Sequence, residues 1–200
     1  MYYYNFFVID DFRRTLKEEG TFGPSDDLLD RITGVARPVS LKPGEILIGY
    51  GQLNTDVYIV KEGILQLLYF DGVKEVTFGF AFPGTFLLSP HSFYMNQPAV
   101  MQIESCRIPS TVMRIPRRQF DKLLEESHEL ALWMFNLAMG QIYTSELKVT
   151  YVSGSAEERY RRLLKIRPDI VTAISMNRLA SYLGITPSWM CKLRKKLLYE

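Results

Sequence analysis

Four cations, Lys192, Arg194, Lys195 and Lys196, fall within five residues near the carboxyl end of this 200-residue chain, directly after Thr186-Pro187-Ser188-Trp189. Hydroxyls, an indole and ammonium groups in that order can meet base edges and neutralise phosphates. Lys192 is the best placed, because a Lys one turn into a helix reaches a guanine edge or a phosphate. Asn177 and Arg178, shortly before, add a polar pair suited to a nucleic-acid backbone. Trp189 has an equal alternative in packing against its own domain.

Other chemistries find little material. Cys106 and Cys191 stand 85 positions apart without partner spacing, so a disulfide framework, a zinc site or an iron–sulfur cluster cannot be built from them, and both read as packing residues. The two histidines, His91 and His128, read as surface or satisfied side chains. A metal-dependent β-roll enzyme needs two or three His plus Glu at one site, and only His91 lies in the β-rich stretch. No Ser-His-Asp or Cys-His arrangement, Gly-rich phosphate loop or paired-carboxylate motif makes a better case for catalysis. No haem or iron–sulfur cofactor and no enzymatic activity are expected.

The net charge of +2 is uninformative until it is divided. Residues 1–154 carry 14 Lys and Arg against 18 Asp and Glu, whereas residues 155–200 carry 10 against 4. The basic charge thus sits in the last quarter, where a solvated tail and a nucleic-acid surface are equal readings. No apolar run approaches the roughly 18 residues of a membrane span, and the start lacks a signal-peptide pattern, so the cytoplasm is the expected compartment.

The elements that must position these residues follow from periodicity. Residues 5–19 and 25–33 read as short helices, the second opened by Ser25 with Asp26 and Asp27 near its positive end. From about 36 to 115, short β-type runs alternate with Gly, Pro and Asn, which predicts a barrel or double-sheet roll. Asp71-Gly72 between the runs 64–70 and 73–80 is a two-residue hairpin signal. Residues 117–150 return to helical spacing, with a seam through Leu130, Trp133, Leu137, Gly140, Thr144 and Leu147. That seam suits a two-stranded helical contact or packing on the chain's own β domain.

The final segment reads as a helix-turn-helix. Ser175 caps a helix carrying Leu179 and Leu183; Ala180 is small at the crossing; Gly184 turns and Ile185 plugs the angle between helices. Thr186 caps the second helix, Pro187 takes its first position, and Met190, Leu193 and Leu197 form its buried side. The bland alternative is an ordinary helical hairpin.

A turn-rich β domain, a long helix and a terminal helix-turn-helix resemble the Crp/Fnr (cyclic-AMP receptor protein / FNR) family of transcription regulators over roughly residues 20–200. The resemblance rests on Lys42-Pro-Gly-Glu-Ile-Leu-Ile, Gly51, Val57-Tyr-Ile-Val-Lys-Glu-Gly63 and Phe82-Pro-Gly-Thr-Phe86, together with the segment from Ile174. It implies an α+β chain: a cyclic-nucleotide-binding-like β-roll (jelly roll) with N-terminal helices over 1–116, a connecting dimerisation helix over 117–152, and a DNA-binding helix-turn-helix over 153–200. The partners implied are double-stranded DNA with a two-fold operator and a second copy of the chain, with RNA polymerase a further candidate and no membrane. The alternative is a ligand-binding sensor whose terminal domain contacts protein instead of DNA.

The resemblance has gaps. Nucleotide-binding members place a Glu at the ribose and an Arg-Ser or Arg-Thr pair at the cyclic phosphate; here Ser89 stands near the first and Gln97-Pro98-Ala99 near the second. Losing a bidentate cation from a buried phosphate costs several kcal/mol, so cyclic AMP binding is not expected. An uncharged, partly apolar effector would suit Phe86, Ser89, Gln97 and Ala99, with Gln141 and Thr144 from the long helix; a filled pocket is an equal reading. Pro187-Ser188 and Lys192 replace the Arg-Glu pair and later Arg of the best-known members, so the operator should differ. The family's winged-helix head is expected here without its wing.

Overall fold

The computed structural model describes residues 12–18, 22–151, 154–166, 168 and 170–198. Among the described residues two helices come first, α1 (Phe12–Glu18) and α2 (Asp26–Val35). Of the helix expected over 5–19, the ends at 5–11 and 19 lie outside the described residues. Ser25 caps α2, its Oγ accepting from the Leu28 amide at 3.2 Å.

Eight strands follow: β1 (Arg37–Leu41), β2 (Ile46–Ile48), β3 (Val57–Glu62), β4 (Leu65–Phe70), β5 (Glu75–Ala81), β6 (Phe86–Leu87), β7 (Met101–Ser105) and β8 (Ser110–Ile115). They make two antiparallel four-stranded sheets, ordered β1-β8-β3-β6 and β2-β7-β4-β5. Between them Leu41, Ile48, Tyr58, Val60, Leu65, Leu87, Ile103 and Val112 form the sandwich core. Val57 and Ile59, pointing the other way along β3, join a second core with Leu16, Leu28, Ile32 and Phe120 from the helices. This explains why β3 is buried on both faces and reads as a continuous apolar run.

The expected two-residue hairpin at Asp71-Gly72 is instead a four-residue loop, since Phe70 pairs with Glu75. The cause is the Asp71 carboxylate, whose Oδ1 accepts from the amides of both Val73 and Lys74 at 2.9 Å. These bonds draw Val73 and Lys74 out of the strand, leave Val73 86% exposed, and hold the Asp71 carboxyl below its ordinary pKa.

One positive-φ glycine is fixed by contact as well as by conformation. Gly63, at φ +85°, lies where a Cβ would overlap Ser110 Oγ and come within 2.6 Å of the Pro109 carbonyl oxygen.

Helices α3 (Pro90–Met95), α4 (Arg117–Glu126) and α5 (His128–Tyr151) border the sandwich. Ser127 breaks α4 from α5 and offers its Oγ to the Leu130 amide at 3.1 Å. Glu129 in the first turn of α5 accepts from both the amide and hydroxyl of Ser25, at 2.6 and 2.7 Å, which ties α5 to the start of α2. The carboxyl-terminal helices are α6 (Ala156–Ile166), α7 (Ile170–Ala173), α8 (Met176–Tyr182) and α9 (Pro187–Leu198). Ser155 and Glu158 open α6 with reciprocal bonds, hydroxyl to amide at 3.2 Å and carboxylate to amide at 2.7 Å.

Candidate nucleic-acid interface

Helices α8 and α9 are joined through Gly184, which adopts φ +67°. Ser175 Oγ accepts from the Arg178 amide and Thr186 Oγ1 from the Trp189 amide, both at 3.2 Å, so each helix begins where its cap stands in the sequence. Leu179, Ala180, Leu183, Met190 and Leu193 are buried together, with Tyr160 of α6 and Ile185 of the turn packed against them. Burying Met190 and Leu193 turns the opposite side of α9 outward. Thr186, Pro187, Ser188, Trp189, Lys192, Lys195 and Lys196 are exposed, Trp189 at 53%.

Not every cation of this segment is available. Arg194 is half-buried, its guanidinium 3.0 Å from Met176 Sδ. Lys196 donates to Glu157 at 2.8 Å, and this bond, with that from Arg161, holds the Glu157 carboxyl below the usual range. Asn177 is exposed, but Arg178 is turned toward the sandwich, its Nη2 2.8 Å from Glu75 and 3.5 Å from Glu104. The structure therefore leaves Thr186, Pro187, Ser188, Trp189 and Lys192 exposed at the start of α9, while Arg178 and Arg194 are engaged within the chain.

The residues expected to line an effector pocket have separate surroundings. Ser89 Oγ caps α3 by accepting from the Ser92 amide at 3.2 Å. Phe86 meets Trp133 edge-on, with centroids 5.1 Å apart. Ala99 is pinned by backbone bonds to Gly51 and Gln52, at 2.9 and 2.8 Å. Gln97 and Gln141 are exposed, and the side chain of Thr144 lies outside the described residues. Helix α3 is further held by Arg117, whose guanidinium carbon sits 3.6 Å over the Phe93 ring while its Nη1 donates to the Phe93 carbonyl at 2.6 Å.

On α5 the expected seam divides. Leu130 and Trp133 are 0% and 1% exposed within the chain's own core, and Leu137 packs against that core. Gly140 is exposed, and the Leu147 side chain lies outside the described residues. A different row is bare: Leu132, Phe135, Met139 and Ile142, in steps of three and four, with Tyr143 beside them. Its steps of three and four are as regular in the sequence as those of the row through Leu130 and Trp133.

Residues 38–127 match the sequence model of the family described as cyclic nucleotide-binding domain. Among solved structures, the chain is similar to the catabolite activator protein of Thermus thermophilus, at 16% identity and a TM-score of 0.57 over 92% of this chain and 87% of that one. It is similar to FixK2 from Bradyrhizobium japonicum, at 17% and 0.68 over 82% and 85%, and to the c-di-GMP responsive regulator CLP of Xanthomonas campestris, at 14% and 0.67 over 88% and 92%. No curated protein matches the chain in sequence. Residues 38–127 are thus similar in sequence to cyclic nucleotide-binding domains, within a chain whose fold is that of the catabolite activator protein, FixK2 and CLP.

Proposed function

We propose that the protein is a homodimeric, sequence-specific DNA-binding transcription regulator. The observation that carries this reading is the outward face of α9, where Thr186, Ser188, Trp189 and Lys192 are presented together at the start of a capped helix. In a helix-turn-helix the first residues of the second helix face base edges while neighbouring cations hold phosphates. The dimer contact is the bare row Leu132, Phe135, Met139 and Ile142, because apolar side chains at this spacing on a helix are covered by an equivalent helix at low cost. The sandwich does not take cyclic AMP in the arginine-clamped manner, because residues 84–99 contain no Arg.

The decisive experiment is selection from pooled random duplexes at low salt, with the Lys192→Ala variant in parallel. Enrichment of a two-fold related sequence, weakened at least tenfold by the substitution, is the expected result. Absence of enrichment, with the variant indistinguishable from the parent, would overturn the reading.

A further inference from the structure

The first helix of the helix-turn-helix lies against the sandwich through a polar strip beside an apolar patch. Arg178, Ser181 and Tyr182, one turn apart on α8, all meet β5, the edge strand of its sheet. Arg178 bridges to Glu75, the Thr77 amide donates to Ser181 Oγ at 3.0 Å, and the Tyr182 ring lies 5.2 Å from that of Phe80. Ser181 and α8 thus cover an edge whose backbone would otherwise be open. Beneath Arg178, Glu104 of β7 is buried on the outer side of the sheet, its two oxygens accepting from Gln66 and Gln102 at 2.6 Å each. Ile64 and Cys106 complete the contact by joining the core of Tyr160, Ile170 and Leu179, and the Arg107 amide donates to the Ala173 carbonyl at 3.0 Å.

Two features mark this contact as one that opens. Beside its apolar patch it carries ion pairs and a backbone-to-hydroxyl bond, the polar content of domain contacts that separate. Thr77 Oγ1 and, near Glu75 and Arg178, Tyr50 Oη are also buried without a hydrogen-bond partner among the described residues, a cost that solvation on opening would relieve.

We infer that Glu75 and Glu104 form a latch that competes with DNA for Arg178: the guanidinium that would grip a phosphate beside the helix-turn-helix is held by two carboxylates of the sandwich, so docking of α8 and full engagement of DNA exclude one another. Carboxylates and phosphate oxygens are alternative bidentate acceptors for one planar donor. An unreleased Glu75 would also stand as a negative charge beside the approaching backbone. This inference rests on the DNA-binding reading above, and goes beyond it in naming the nucleic acid itself as the agent that opens the molecule.

Cys106 reports the latch. Burial against the carboxyl-terminal helices, reinforced by the charge of Glu104, pushes its thiol up to about 12, so it is both covered and unionised while the domains are docked. In full-length Cys191→Ser protein Cys106 is the one remaining thiol, and its rate of alkylation is the measurement. The Glu75→Gln/Glu104→Gln pair should react about tenfold faster and hold random-sequence duplex about five- to tenfold more tightly, while Arg178→Ala should react faster without binding DNA more tightly. Saturating duplex should itself accelerate alkylation of the otherwise unaltered protein. Thermal melting of each variant shows that it is folded. Alkylation indifferent to both the double substitution and duplex would overturn the latch. Faster alkylation of the double variant with no DNA binding by any form would instead overturn DNA as its competitor, through failure of the functional reading.

Discussion

Arg178 shows how a residue's chemistry can be legible while its partner is not. Its type and place at the start of the first helix suit a phosphate, yet its guanidinium lies 2.8 Å from a carboxylate 103 positions away. Trp189 suits packing and a nucleic-acid contact equally by type, and in the fold it is 53% exposed while its neighbour Met190 is buried. Glycines illustrate the same dependence on surroundings. Gly63 and Gly184 both hold positive φ, but a Cβ at Gly63 meets Ser110 and Pro109, whereas nothing lies within 4 Å of one at Gly184. Gly63→Ala should therefore destabilise the sandwich by roughly 2–4 kcal/mol and Gly184→Ala by only about 1 kcal/mol. Chemical denaturation of the two variants checks the difference, and equal losses would contradict it.

At the scale of elements, the capped helices were the most legible parts. Ser25, Ser175 and Thr186 each accept the amide three residues on, so helix starts followed from single residues. The turn at Asp71 was less legible, because a side-chain bond to two amides lengthened it from the two residues expected. Helix α5 could not be resolved by period at all. It carries apolar residues in two interleaved rows, and only the position of the β3 sheet shows that Trp133 faces inward and Phe135 outward. Phe135→Glu with Met139→Glu should convert a dimer to a folded monomer in sedimentation, with the melting temperature of the sandwich nearly unchanged. Trp133→Ala should instead lower stability by about 3–5 kcal/mol, because it empties a fully buried site.

For the whole molecule, the charge division acquires a spatial meaning. The acidic portion supplies Glu75 and Glu104 to the contact with the basic carboxyl-terminal helices, so opposite charges meet inside one chain. Among the described residues no helix is long and apolar enough to cross a membrane. DNA affinity should fall steeply with salt, and Lys192→Ala should reduce the slope of log affinity against log salt by about 1 per protomer. Titrations at several ionic strengths test this; an unchanged slope would remove Lys192 from the phosphate contacts.

The sequence by itself determined a turn-rich β domain, the helices around it and the caps that open α8 and α9. Turn residues, caps and alternation act between near neighbours, and their effects survive most surroundings. Only the tertiary structure decided which row of α5 is buried, which cations of the last helices remain at the surface, and what holds Arg178. Those outcomes depend on groups such as Glu75, Glu104 and Phe80, distant in the chain and brought to the same face by packing, and no local spacing encodes that meeting.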